Sequence, residues 1–447
     1  MVQVSGLTRG DRRRNERLDR RRAVVARDGA MIGIDLGEDR QMVVVTDQDS
    51  RVLARRSFSG KAHQLGPVLD WAVAQATAKG FAKVTVACEP TGSRWMQVQF
   101  LAALRMLALV CVQPLATHRA REGEDYTRDK SDYKDAVLIA RLAIQLQCYV
   151  PEDISEVWVR LRHHGARREE LITRSSRAIL QIRDLLSLAW PVVLTAAAGP
   201  LESSTWLAAV AVVMDRCDGR PERVARMGIE RFTAAVRREL PRWGAQRPCG
   251  RILRAVFAAL RDQDGAVPAH RAGALHRVGW AIDDLRTARA KLAEVETAMT
   301  AIVAELGLGD LVASIPGLSL PGAAAILAEC GDPTRFTSGR ALVKHAGLNP
   351  AENTSGAFRG HTRTSKRGRP RLRLAAWRAA WALIRHNPVA AARYQHLTTR
   401  TDNPLTTRQA HAACAATLLR WLYAIITTGT AYDPALAAGA PATVTAA

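Results

Sequence analysis

A chain of 447 residues is too long for one hydrophobic core, so two or three domains, each able to bury a sizeable interior, are expected. Its 64 Lys and Arg against 42 Asp and Glu leave a formal charge of +22, which favours a polyanionic partner, nucleic acid first, through phosphate neutralisation and counterion release. Seven scattered cysteines without a C-x-x-C pair argue against a zinc site or disulfide framework and fit a reducing cytoplasm, and with no uncharged run of the roughly 18–20 residues that span a bilayer, no membrane partner is expected.

Residues 1–29 carry Arg12, Arg13, Arg14 and Arg20, Arg21, Arg22 and read as a basic, flexible tail. Residues 31–35, 41–46 and 51–58 then read as a β-meander, with Gly37 and Asp39 turning the chain between the first two. A helix over 65–78, a strand over 83–88, a helix after Ser93 and a strand over 107–112 follow. Three antiparallel strands followed by β-α-β alternation predict an α/β RNase H-like domain over 30–190. Beyond Pro151 helices dominate, and 191–306 reads as a helical insertion and coiled coil. There Val278, Leu285, Leu292, Met299 and Leu306 with Ala281, Ala288, Val295 and Ile302 form a heptad seam, which an ordinary amphipathic helix explains as well. Residues 246–270, broken by Pro248, Gly250, Gly265 and Pro268, read as a loop or insertion. A third domain is expected over 307–431 and a disordered Ala, Pro and Thr tail over 432–447.

Asp35 closes the first apolar strand and Glu89 closes the strand at 83–88, so if these strands are neighbours both carboxylates emerge at one end of the sheet. Asp132 and Asp135, three residues apart at the start of an apolar-periodic helix, share a face. Phosphodiester cleavage needs an activated oxygen nucleophile and a stabilised leaving oxygen, which two Mg²⁺ ions (Mn²⁺ as the substitute) roughly 4 Å apart on oxygen ligands both serve. Singly each acid has a plainer explanation: Asp35 in a turn, Glu89 as a surface charge before Pro90, Asp132 as a helix cap. Their combination and order are those of an RNase H-like nuclease. An Ile-Gly-Ile-Asp-Leu-Gly opening also occurs in actin-like ATPases and sugar kinases, but the further phosphate loop and adenosine turn those need do not follow here.

Toward the C-terminus, residues 315–327 resemble a helix-hairpin-helix element, whose glycine turn would offer N–H groups to a phosphate; a tight turn between packed helices uses the same Pro and Gly. Ser355 follows in a strongly basic stretch with Arg359, Arg363, Lys366, Arg367, Arg369, Arg371 and Arg373. Such cations can stabilise alkoxide and phosphate charge for a serine nucleophile, or simply grip a nucleic-acid backbone.

Through Ile32-Gly33-Ile34-Asp35, Cys88-Glu89-Pro90-Thr91-Gly92, Lys130-Ser131-Asp132 with Asp135-Ala136, Ile315-Pro316-Gly317, Ser355-Gly356, Ser365-Lys366-Arg367-Gly368 and Leu372-Arg373, the chain resembles the DEDD transposases of the insertion sequence 110 family. The resemblance spans roughly residues 30–190 and 305–430, and 195–275 looks longer than the family usually carries. It implies a RuvC-like domain contributing Asp35, Glu89, Asp132 and Asp135, and a C-terminal transposase domain whose nucleophilic serine matches Ser355, with Thr354 and Ser365 as nearby hydroxyls. It further implies a composite site, DNA ends or junctions as substrate, a structured non-coding guide RNA, and a dimer or tetramer in the bacterial cytoplasm at the nucleoid. The residues themselves leave open a water-using RuvC-like endonuclease of branched DNA and a non-catalytic nucleic-acid-binding protein.

Overall fold

The computed structural model describes residues 6–125, 131–152, 155–351, 354–355, 358–359 and 363–439. The chain divides into two compact units, Met1–Asp153 and Ile154–Ala447.

In the first unit, the strand Ala30–Asp35 (β1) is buried almost throughout, as its run of apolar residues requires at the centre of a two-faced sheet. Arg40–Thr46 (β2) and Val52–Ser59 (β3) add antiparallel on one side. Val84–Cys88 (β4) and Ala108–Val112 (β5) add parallel on the other, with Cys148–Tyr149 (β6) antiparallel at the edge, in the order β3-β2-β1-β4-β5-β6. The helices in chain order are Arg9–Val24 (α1), Leu65–Ala78 (α2), Arg94–Leu104 (α3), Pro114–Asp125 (α4) and Asp132–Ile144 (α5). Alternation along β1 sends Ile32 and Ile34 into one core with Leu69 of α2 and Val98 of α3, and Met31 into the other with Ala136 and Ala140 of α5. Gly33 lets α5 lie against β1: a Cβ there would stand 2.3 Å from the Ala136 carbonyl oxygen.

The basic N-terminal segment is not a flexible tail over its whole length. Thr8 and Asp11 form a capping box for α1, Val25 is fully buried, and Arg21 donates to the Leu146 carbonyl at 2.9 Å. Leu18 and Val24 pack on the core that includes α5, while Arg12, Arg13, Arg14 and Arg20 stay exposed on the helix.

The second unit begins with Glu156–Ala189 (α6), a helix that the expected domain over 30–190 includes. Ser204–Cys217 (α7), Glu222–Ala225 (α8), Gly228–Glu239 (α9) and Gly250–Ala259 (α10) gather around fully buried Trp190, Trp206 and Phe232. The stretch 246–270, expected as a loop or insertion, contains a helix, because Leu253 and Val256 complete this core. Pro268–Glu305 (α11) runs antiparallel to α6, with Arg168–Glu296 at 2.8 Å and an Arg160–Glu305 pair fixing the register. Seam residues Val278, Ala281 and Leu285 pack with Ala178 and Ile182 of α6, and Met299 and Ile302 with Leu161, so the partner of the heptad seam is a helix of the same chain.

Gly309–Ala313 (α12), Leu320–Cys330 (α13), Gly339–His345 (α14), Pro370–His386 (α15), Pro388–Thr399 (α16), Thr407–Thr428 (α17) and Pro434–Ala438 (α18) form the C-terminal part. The Gly317 turn packs on α15, where a Cβ would stand 2.8 Å from the Ala382 carbonyl oxygen. That close approach is the structural use of the glycine, and Ser319 caps α13 by accepting from the Gly322 N–H. Helix α17 is long and apolar enough to cross a membrane, yet Ala415, Leu418, Leu419 and Leu422 sit in the core of this unit. Two short ribbons, Pro350–Ala351 (β7) with Arg363–Thr364 (β10) and Thr354–Ser355 (β8) with Phe358–Arg359 (β9), precede α15. Tyr432, expected to begin a disordered tail, is held in place: its N–H donates to Ser314 Oγ at 2.8 Å and its ring lies 5.1 Å from that of Trp421. Residues 440–447 lie outside those described.

Candidate functional site

In the first unit the expected carboxylates collect at one end of the sheet. Strands β1 and β4 are parallel neighbours with Ile34 opposite Cys88, so Asp35 and Glu89 follow side by side. Alternation puts Asp35 on the face of Met31 and Glu89 on the face of Ala87, the face that α5 covers. Both are half-buried.

Asp132 and Asp135 occupy the first turn of α5. Asp132 is not the cap: Ser131 is, its hydroxyl accepting from the Lys134 N–H, which leaves Asp132 exposed in the positive end of the helix. Asp135 is only 4 % exposed and accepts from Arg121 of α4, Nε at 2.8 Å and Nη2 at 2.6 Å. This pairing had no signal in the sequence, because Arg121 and Asp135 are joined only by the way α4 packs on α5. Arg94 at the start of α3 was also missed; it donates to the Gly37 carbonyl and, at 3.1 Å, to that of Glu38, tying down the turn after Asp35.

Among the described residues no three His, Cys, Asp or Glu side chains are gathered closely enough to hold an ion. The donor chemistry still fits a hard divalent cation, since all four groups offer carboxylate oxygens. Both contacts from Arg121 fall on Oδ1 of Asp135, so an ion joining such a set would meet this carboxylate with a guanidinium already beside it.

In the second unit Ser355 pairs through its backbone with Phe358 in the β8–β9 ribbon. The side chains of Thr354, Ser355 and Arg359 lie outside the described residues. Ser365, the neighbouring hydroxyl, donates to Asn349 Oδ1 at 2.7 Å. Arg363, Lys366, Arg367 and Arg371 are exposed, as phosphate-gripping cations need to be. Arg369 and Arg373 serve the protein itself. Arg369 stands 3.4 Å from the buried carboxylate of Glu329, which needs a counter-charge. Arg373 donates at 3.0 Å to the Ala346 carbonyl at the end of α14, where helical carbonyls lack partners. Burial, and then Arg335, Arg369 and Arg162, push the His345 imidazole down to about 4.

Comparison with known proteins matches the two halves to transposases. Residues 32–191 match the family model for the DEDD transposase of IS110 type, and residues 309–395 match that of the transposase IS116/IS110/IS902 family. The insertion element IS110 43.6 kDa protein of Streptomyces coelicolor is 27% identical over 316 residues, covering 69% of this chain and 74% of its own. The insertion element IS116 44.8 kDa protein of Streptomyces clavuligerus is 25% identical over 376 residues, covering 81% of this chain and 86% of its own. A DEDD transposase domain implies an RNase H-like fold, action on DNA and dependence on divalent metal, and the mixed sheet of the first unit is consistent with that fold. With both family matches falling on the stretches that carry the carboxylates and the basic segment, the chain is a transposase of the IS110 family.

Proposed function

We propose that this transposase cuts and rejoins DNA with Asp35, Glu89, Asp132 and Asp135 holding Mg²⁺, or Mn²⁺ in its place, and with Ser355 as nucleophile. The observation that supports this most is the parallel register of β1 and β4, which brings Asp35 and Glu89 side by side on the face covered by α5. Bound divalent ions supply charge stabilisation to the attacking and leaving oxygens. The Ser355 oxygen bonds to phosphorus as a deoxyribose oxygen leaves; the serine proton passes by way of solvent to that leaving oxygen. The resulting phosphoserine diester keeps the bond energy, and attack by another strand's hydroxyl frees the serine and rejoins the DNA. Exposed Arg363, Lys366 and Arg367 grip the flanking phosphates. A structured non-coding RNA, accommodated by the +22 charge, selects the two DNAs by pairing with them, in an assembly of two or four copies.

The test incubates the protein with Mg²⁺, its co-purifying RNA and DNA carrying the element's junction, followed by denaturing electrophoresis. A covalent protein–DNA adduct is expected, absent from Ser355→Ala and from Asp35→Ala. Cleavage without an adduct would instead show water as the nucleophile and reduce Ser355 to a ribbon residue.

A further inference from the structure

The second unit contains a cavity of about 730 Å³ bounded by the β7–β10 ribbon, α16 and α17. Four cations from three stretches of chain line it: Arg363 of β10 with Lys366 in the turn that follows, Arg393 of α16 and Arg420 of α17. Among the described residues no Asp or Glu lines it. The charged neighbours of Arg420 are two further cations, Arg393 and Arg340, and burial followed by these two lowers its guanidinium pKa. One wall is small and apolar, with Ala412, Ala413 and Ala416 on a single helix. Gln409 also lines it; its carbonyl oxygen accepts from the Thr406 N–H at 2.9 Å and hydroxyl at 3.0 Å in the cap of α17, so its NH₂ group remains as a donor. Like charges held together without a counter-ion repel, and an anion offsets that repulsion.

We propose that this cavity takes one nucleotide of an unpaired nucleic-acid strand, with its phosphates among the four cations and its sugar against the alanine wall. The size suits it: pockets of roughly 300–1,000 Å³ enclose ligands of drug size, which a nucleotide is, whereas a duplex does not enter. Among the described residues no aromatic ring lines the cavity, so binding rests on phosphate charge and sugar contact and is tolerant of sequence. The inference deepens the strand-exchange reading, because strands that part at a junction and loops of a folded RNA both present unpaired nucleotides with the same phosphodiester chemistry.

The experiment uses the full-length protein in EDTA, so its outcome is independent of the carboxylates and of whether Ser355 is the nucleophile. Fluorescence anisotropy follows short labelled single strands of DNA and of RNA of one sequence, and the corresponding duplex, across a salt series from about 50 to about 200 mM. Arg393→Ala combined with Arg420→Ala is expected to weaken single-strand binding about tenfold and to reduce the salt slope by about two, with a smaller effect on the duplex. Ala413→Trp, which fills the cavity and leaves the charge intact, is expected to weaken single strands as well. Should that variant melt early, competition replaces it: a mononucleotide is expected to displace the labelled strand from wild type and to fail against the double arginine variant. Loss for DNA alone, RNA alone or both assigns the source of the nucleotide. Equal loss for single strand and duplex, or undiminished binding by a folded Ala413→Trp, or no competition by the mononucleotide, overturns the proposal in favour of a general polyanion surface.

Discussion

Replacing Arg121 by Ala strips Asp135 of the guanidinium it contacts while leaving the carboxylate where it is. The Asp135 side chain is 6% exposed and that of Arg121 20%, so the pair is mostly shielded from water and a carboxylate left alone there costs about 3 kcal/mol. In a unit of the size of Met1–Asp153, a loss of that order lowers the melting temperature by about 6–12 °C. Divalent cations, by binding the native state, should restore what the guanidinium supplied. Scanning calorimetry in EDTA is therefore expected to show the first unit of Arg121→Ala melting below wild type. Adding Mg²⁺ or Mn²⁺ is expected to raise the variant more than wild type, because no guanidinium charge then competes for Asp135. Asp135→Asn in the same background should abolish both differences. If Arg121→Ala melts with wild type in EDTA, the carboxylate is better solvated than its burial indicates; if metal shifts both proteins equally, Asp135 is not a metal donor.

Gly33→Ala places a methyl group 2.3 Å from the Ala136 carbonyl oxygen, a backbone atom that cannot turn aside, so a loss of about 3 kcal/mol is expected in denaturant titration, and an unchanged midpoint would contradict the packing of α5 on β1. Glu89→Ala, like Asp35→Ala, is expected to remove DNA cleavage while leaving the circular dichroism spectrum intact; retained cleavage would take Glu89 out of the active site. For His345, held down to about 4 chiefly by burial, the neutral ring is favoured in the fold, so its contribution is full above the ordinary value near 6.5 and is lost as pH falls toward 4. NMR titration is expected to find this imidazole still neutral at about pH 6, and an ordinary value would show it solvated.

Contiguous residues carried the local elements. The helix Leu65–Ala78 and the strands Val84–Cys88 and Ala108–Val112 match the apolar periodicity closely, since period 2 or period 3.6 is written in neighbours along the chain. The same logic put Asp35 and Glu89 at strand ends and Asp132 with Asp135 on one helical turn. Periodicity says which side of an element is apolar but not what covers it, and there the reading went astray or stayed open. The heptad seam of α11 proved to face α6, a partner separated from it in sequence by residues 190–267. The basic start of the chain became a helix because Val25 and Leu18 found a core, and composition records the arginines without the core. Arg369 and Arg373, indistinguishable in sequence from their exposed neighbours, were claimed by Glu329 and by the end of α14.

Amino-acid order by itself thus determined the strand and helix segments, the carboxylates at their ends and the excess of positive charge. Tertiary structure alone decided that β1 and β4 lie side by side, that Arg121 pairs with Asp135, and that cations from three separated stretches line one cavity. The physical reason is one of range: backbone preference and periodicity act over a few residues, whereas contacts between distant residues are chosen only when the whole chain packs and each buried charge finds its partner.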